Sequence, residues 1–186
     1  MVDRLRQEYG TRIELEWQAF ELRPEPVPLP VPHDPARVRR WQSSVLPMAA
    51  ERGLAMRVPP IATRTRPTFQ TVELARDHGR FDAMHRAIFE AFFRDGRDIG
   101  DVDVLTDLAA SIDLAPALVK DALESGTYLR RVLDQLQRSR QLGITGVPTL
   151  FVGDDLQTAE PVVGAVPYDT LKAAVERAFV DRFGTA

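Results

Sequence analysis

Apolar and polar residues alternate near the start of the chain. From Ile13 to Trp17 every second residue is apolar, and the residues between them are glutamates. This period of two predicts a β-strand over residues 13–19 with one buried face. A short helix is predicted before it and ends at Gly10, because glycine adopts a positive φ without steric cost.

Six prolines follow between Pro24 and Pro35. Each proline fixes its own φ and biases the preceding residue toward extended geometry, so we expect a polyproline-like surface segment here. Beyond it, residues 34–142 show mostly helical spacing. Asp34 followed by Pro35 is typical of the first turn of a helix.

The clearest helical stripes lie in the middle of the chain. Phe81, Met84, Ile88 and Phe92 recur at spacings of three and four residues, and a second stripe over residues 128–142 stops at Gly143. Stripes of this kind are typical of helix faces that turn toward a core.

The C-terminal part returns to short strands. Residues 150–152 are apolar, residues 153–155 form a Gly-Asp-Asp turn signal, and residues 161–163 are predicted to return as a second strand. A last helix is predicted from Tyr168 through Phe179. The order of helix, strand, helical block, strand, strand and helix predicts an α/β protein whose helices cover a small mixed sheet.

Composition narrows the function classes. The chain of 186 residues has a net charge of −3, so it offers no basic footprint for nucleic acid or an anionic membrane. No apolar run reaches the roughly 18–20 residues that span a bilayer, and we expect a cytoplasmic protein. The chain has no cysteine, so these residues supply neither disulfides nor thiol chemistry.

Other chemistry-bearing residues do not form recognisable motifs. His33, His78 and His85 lack the spacing of metal ligands, and we expect no metal and no cofactor. The chain has no glycine-rich phosphate loop and no serine in a nucleophile elbow, so we assign no catalytic residue. Asp101 and Asp103 are expected to serve as helix N-caps.

Four segments, in order and spread over nearly the whole chain, carry a recognisable combination of residues. They are residues 13–22 before Arg23-Pro24, residues 84–93 before Asp98-Ile99-Gly100-Asp101, residues 141–151 containing Gly146-Val147-Pro148-Thr149, and Gly164-Ala165-Val166-Pro167 with Leu171. Together they resemble the DsbA-like thioredoxin domain family, and most closely its FrnE-type branch. The Gly-Val-Pro-Thr turn alone is a weak signal, whereas the four segments together are a strong one.

The resemblance implies a thioredoxin-like α/β fold with a large helical insertion. It assigns residues 1–33 and 143–186 to the thioredoxin-like core and residues 34–142 to the insertion. It also implies a cis peptide bond between Val147 and Pro148, next to a backbone that binds an extended substrate peptide. The substrate-binding residues that it implies are Thr145, Gly146, Val147, Pro148 and Thr149.

One part of the family pattern is missing. Family members begin with a strand that leads into a Cys-x-x-Cys motif at a helix N-terminus, and residues 1–10 match only the second half of that helix. The first core strand, which would lie between residues 13–19 and residues 149–152, is therefore apparently missing, and its absence would leave a slot of roughly 10 Å. We expect an N-terminally shortened chain. The alternatives are that a neighbouring chain or a rearranged strand fills the slot, or that the resemblance misidentifies the absent strand.

Three functions remain open at this point. The leading one is a DsbA-like protein of the thiol-disulfide oxidoreductase family that is redox-inactive in these residues because it has no cysteine. The second is a glutathione-dependent isomerase of the 2-hydroxychromene-2-carboxylate isomerase type, and the third is a non-catalytic peptide-binding module. The implied partners are an extended polypeptide or a small thiol such as glutathione, and a homodimer is also open.

Overall fold

A computed structural model of the chain describes residues 1–183, and the side chains of residues 1–180. The described residues form helices α1 to α8, then two antiparallel strands, β1 and β2, and then helix α9. The bounds are α1 Val2–Tyr9, α2 Pro35–Arg40, α3 Leu46–Glu51, α4 Arg66–Asp77, α5 Phe81–Phe89, α6 Val102–Ala110, α7 Pro116–Ser125, α8 Leu129–Gln141, β1 Thr149–Val152, β2 Glu160–Val163 and α9 Tyr168–Phe183. π-helical turns, Trp41–Val45 and Glu90–Asp95, follow α2 and α5.

The chain forms two compact units. One contains residues 1–22 and the chain from residue 138 onward, and the other contains residues 23–137. The sequence placed the corresponding divisions after residues 33 and 142. No helix in the described part of the chain is both long and apolar enough to cross a membrane.

The first unit is built on the hairpin of β1 and β2. Thr149 lies opposite Val163 and Val152 lies opposite Glu160, which confirms the predicted hairpin. The side chains that close the core come from α1, β2 and α9, and the strand residues Leu150 and Val152 pack against them. The buried members of this cluster are Leu5, Tyr9, Val162, Leu171, Ala174 and Val175.

Residues 13–22 differ from the strand that the sequence predicts. Ile13 is extended, with φ −123° and ψ 143°, and it packs against the core of the first unit. Burial alternates as expected, because Leu15 and Trp17 are half-buried while Glu14 and Glu16 are exposed. The sheet of the described residues nevertheless contains only β1 and β2. The prediction of a strand is therefore wrong, because residues 13–19 are not hydrogen-bonded to a neighbouring strand and β1 is bonded only to β2.

The proline-rich segment also differs from its prediction, because it turns instead of running extended. The Val27 N–H donates to the Pro24 carbonyl (2.8 Å) around a cis Glu25–Pro26 bond, which is a type VI turn. The Arg64 guanidinium donates to the carbonyls of Arg23 (2.6 Å) and Val27 (2.9 Å). The turn and Arg64 together satisfy the carbonyls of Arg23, Pro24 and Val27, which an extended segment would leave to water.

The second unit has a larger core, contributed mainly by α4 to α7. Its buried residues are Leu74, Ala75, Met84, Ile88, Ala91, Ile99, Leu105, Leu108, Ala109, Leu114, Val119 and Ala122. Asp101 caps α6 by accepting a hydrogen bond from the Asp103 N–H (2.8 Å), which confirms the N-cap role expected of Asp101. Met84, Ile88 and Phe92 of the predicted helical stripe are confirmed as core, whereas Phe81 lies outside this cluster.

A buried carboxylate joins α4 to α8 within this unit. Glu73 is 3% exposed and accepts hydrogen bonds from Arg76 (3.1 and 3.2 Å), Arg131 (3.4 Å) and Gln135 (3.1 Å). Arg131 also donates to the more exposed Asp77 at 2.7 Å, and this bond lowers the pKa of the Asp77 carboxyl from its ordinary value. Two carboxylates on one helix thus share one arginine in different surroundings.

The difference in burial predicts a difference in stability. We expect Glu73→Ala to lower the free energy of unfolding by about 2 kcal/mol, because it removes a buried acceptor that three side chains share. Asp77→Ala serves as the control and should cost only about 0–1 kcal/mol, since this carboxylate is solvated. Urea denaturation followed by circular dichroism measures both, and equal losses would contradict this account of the buried network.

Candidate functional site

The loop between α8 and β1 begins at a glycine that ends the helix. Gly143 has φ 69°, its N–H donates to the Arg140 carbonyl (3.0 Å), and the Ile144 N–H donates to the Ser139 carbonyl (3.0 Å). These two bonds define a Schellman motif, which satisfies the last carbonyls of α8 and turns the chain sharply. The direction in which residues 144–149 leave the helix is set by this motif.

Two further hydrogen bonds hold the loop against the hairpin. The Thr149 hydroxyl donates to the Gly146 carbonyl (2.9 Å), and the Gly164 N–H donates to the Pro148 carbonyl (2.8 Å). Between them, the Val147–Pro148 peptide bond is cis. These hydrogen bonds fix the loop on both sides, and neither of them uses the backbone of its middle residue.

Val147 is that middle residue. Its side chain is 53% exposed, and within residues 1–183 its backbone N–H and C=O make no hydrogen bond. A backbone donor and acceptor beside an exposed apolar side chain can pair with an extended peptide in the manner of an added strand. This is the chemistry that the loop offers.

The five residues predicted to bind substrate are contiguous but differ in their surroundings. Thr145, Val147 and Pro148 are exposed, whereas Gly146 and Thr149 are half-buried. The Thr149 hydroxyl is already used within the loop, so its visible role is to hold the turn. The substrate contacts of all five stay a prediction.

Sequence reasoning missed one residue next to this loop. Val163 ends β2 opposite Thr149 and is 67% exposed, although it was expected simply to continue an apolar strand. Successive strand residues point to opposite faces, and Val162 is the buried one. That alternation could have indicated that Val163 faces outward and adds apolar surface near Val147.

Polar residues of α1 and α9 form a second cluster in the same unit. Glu8 accepts hydrogen bonds from Lys172 and Tyr168, and the Arg4 guanidinium lies 3.8 Å from the centre of the Tyr168 ring. The hydrogen bond from Lys172 lowers the pKa of the Glu8 carboxyl, and the hydrogen bond to Glu8 raises the pKa of Tyr168. These charges neutralise one another, so the cluster fixes α1 against α9 and offers no free acid or base.

Catalytic chemistry is sparse in the described residues. No group of three or more His, Asp or Glu side chains among them is placed to hold a metal ion. The sequence has no thiol. The loop of residues 144–149 is the candidate functional site because of the exposed Val147 and its backbone groups.

A helical block combined with a small antiparallel sheet and a Gly-Val-Pro-Thr loop is compatible with a thioredoxin-like protein of the DsbA type. The family model for the DSBA-like thioredoxin domain matches residues 1–176, so the chain belongs to this family. It is 34% identical over 170 residues to the uncharacterized protein YwbO of Bacillus subtilis, covering 89% of this chain and 82% of YwbO. The predicted fold class and the DsbA-like family are thus confirmed, and the FrnE-type branch stays a prediction.

Solved structures agree on the fold. A probable DsbA oxidoreductase from Streptomyces coelicolor has a TM-score of 0.73 at 23% identity, covering 91% of this chain and 76% of that one. A candidate protein disulfide isomerase from Nitrosomonas europaea has a TM-score of 0.72 at 20% identity, covering 98% and 89%. At these identities the likeness concerns the fold.

The two glycines of the loop provide a matched test of its geometry. A Cβ at Gly143 meets no atom within 4 Å, so Gly143→Ala is strained only by its positive φ and should cost about 1 kcal/mol of unfolding free energy. A Cβ at Gly146 also meets no atom within 4 Å, and Gly146 has no positive φ. Gly146→Ala should therefore leave the free energy of unfolding within about 0.5 kcal/mol of its original value or raise it slightly. Thermal and urea denaturation compare the two, and equal effects would argue against the strained turn.

Proposed function

We propose that residues 1–186 bind extended polypeptide segments as the substrate-holding part of a DsbA-like thioredoxin domain. The observation that carries this proposal is Val147, whose exposed side chain lies beside a backbone N–H and C=O that make no hydrogen bond within the described residues. A bound segment pairs its own backbone with these groups. The family membership supports the proposal, because the resemblance implies peptide binding at this loop.

We also propose that these residues perform no thiol–disulfide exchange. Exchange requires a thiolate to attack a disulfide sulfur, and the only sulfur in the sequence belongs to four methionines. The similar structures are named as an oxidoreductase and an isomerase, which supports a disulfide-containing or thiol-containing protein as the bound class. These 186 residues then recognise the polypeptide that is bound.

Apolar surface near the loop indicates which segments are favoured. Val147 and Val163 are 53% and 67% exposed, and both lie at the loop end of the hairpin. Covering them removes apolar area from water, which contributes about 25 cal/mol per Å². An extended segment with apolar side chains therefore gains more than a charged one.

Glutathione is the competing ligand, because it is a small extended peptide with a thiol. The Gly164-Ala165-Val166-Pro167 sequence before α9 favours the FrnE-type branch over the glutathione-dependent isomerases. Calorimetry separates the two, since glutathione binding without binding of an unfolded polypeptide would support the isomerase type instead.

The first test places a charge on the loop. Val147→Asp should weaken binding of reduced, carboxymethylated lactalbumin about tenfold, because the carboxylate loses water when the segment pairs beside it. Fluorescence anisotropy of the labelled polypeptide measures the affinity. The control is Val31→Asp, which places the same charge on a valine that is 68% exposed in the other unit and should leave the affinity unchanged. Equal weakening by both variants, or by neither, contradicts the proposed site.

The second test concerns redox chemistry. We expect residues 1–186 to leave the rate of insulin reduction by dithiothreitol at the level of the reagent alone, because they hold no thiol. Turbidity of the precipitating insulin chains follows the reaction. A rate clearly above that of the reagent would show that these residues catalyse the exchange by another route, and would overturn this part of the proposal.

A further inference from the structure

Four rings of α5 and the turn after it form one continuous row in the second unit, in which the first two pairs are stacked and the third is tilted. Phe81, His85, Phe89 and Phe93 follow one another at intervals of four residues. Their ring centroids are separated by 5.5, 4.7 and 5.5 Å in turn. We call these four residues the aromatic ridge, because residues four apart form a ridge along a helix.

The aromatic ridge lies outside the core of its own unit. The core takes Met84, Ile88 and Ala91 from the same stretch, whereas none of the three phenylalanines of the ridge belongs to that cluster or packs against it. Phe89 is 50% exposed. A single exposed phenylalanine is ordinary, but here it is the most exposed member of a continuous row of rings.

Both ends of the aromatic ridge are covered from within the unit. The Arg76 guanidinium lies 4.0 Å from the centre of the Phe81 ring, and the Trp41 ring lies 6.0 Å from that of Phe93. The middle, around His85 and Phe89, has the most exposed ring of the four. A partner therefore has one short apolar surface to cover, centred on Phe89.

A row of charges runs beside the aromatic ridge and indicates which partner fits. Asp82, Arg86, Glu90 and Arg94 are also four residues apart, each one position after a ridge residue, and their signs alternate. When two copies of this helix lie antiparallel, Asp82 faces Arg94 and Arg86 faces Glu90 of the other copy. The row is thus complementary to itself when reversed, whereas a parallel pair in register would set like charges against each other.

Arg86 and Glu90 form the inner pair of this row, and both can take part in an ion pair with a second copy. Arg86 makes no ion pair within the part of the chain that the structure describes. Glu90 accepts from Arg94 at 2.8 Å, but a carboxylate has room for a second arginine. A second copy would therefore add an ion pair without breaking the existing one.

We infer that this face joins two copies of the chain, with the aromatic ridges packed antiparallel about a two-fold axis near Ile88. Ridges of residues four apart pack at a crossing angle of about −50°, which brings His85 and Phe89 of one copy next to Phe89 and His85 of the other. Arg86 then faces Glu90 of the second copy. Such a helix-pair contact lies at the small end of specific interfaces, so we expect a reversible dimer. This inference does not rest on the proposed function.

Sedimentation velocity of the purified chain over a range of concentrations tests the inference. A species of twice the 20.9 kDa chain mass should appear as the concentration rises. Phe89→Glu should abolish it, because the carboxylate would be buried at the axis. The control is Leu54→Glu, which changes a side chain of 56% exposure in the same unit and should leave the dimer intact.

A charge swap tests the antiparallel arrangement and does not depend on the phenylalanine variant. Arg86→Glu should weaken the dimer about tenfold by setting two carboxylates against each other across the axis. Adding Glu90→Arg should restore most of the affinity, because the pair is re-formed with reversed signs, and circular dichroism checks that each variant folds. A chain that stays monomeric up to about 100 µM, a Phe89→Glu variant that still dimerises, or a double variant no stronger than Arg86→Glu overturns the inference.

Discussion

Backbone pairing between β1 and β2 is the constraint on which the first unit depends. These four-residue strands bring Leu150 and Val152 onto the core formed by α1 and α9, and they carry the loop of residues 144–149 at one end. The Gly164 N–H continues the pairing to the Pro148 carbonyl beyond the last strand residue. The loop is thus an extension of the hairpin, and its position follows from the same hydrogen bonds that make the sheet.

Charge and apolar surface are distributed unusually in the second unit. Glu73 is buried among donors from α4 and α8, while Phe89 of α5 is half exposed in a row of rings. Burying a carboxylate is tolerated because two arginines and an amide satisfy it. The exposed ring has no such compensation within its own unit, which is why it points to a contact with another molecule.

Local signals in the sequence predicted most of the elements. Gly143 ends α8 and the Gly-Asp-Asp turn forms the hairpin because both depend on residues close together in the chain. Residues 13–19 show the limit of such reasoning, since their alternation predicts which side chains are buried but not whether a neighbouring strand exists. The turn at Pro24 depends on Arg64, forty residues away, and no local pattern could have indicated that contact.

The Val147 backbone also has a consequence for what this loop can distinguish. Peptide N–H and C=O groups are the same in every residue except proline, so pairing with them reads the conformation of a partner and hardly its sequence. A folded protein has already used these groups in its own helices and sheets, whereas an unfolded chain presents them freely. If the loop binds as proposed, this pairing favours unfolded chains over folded ones, and a proline at the paired position weakens it because proline has no N–H.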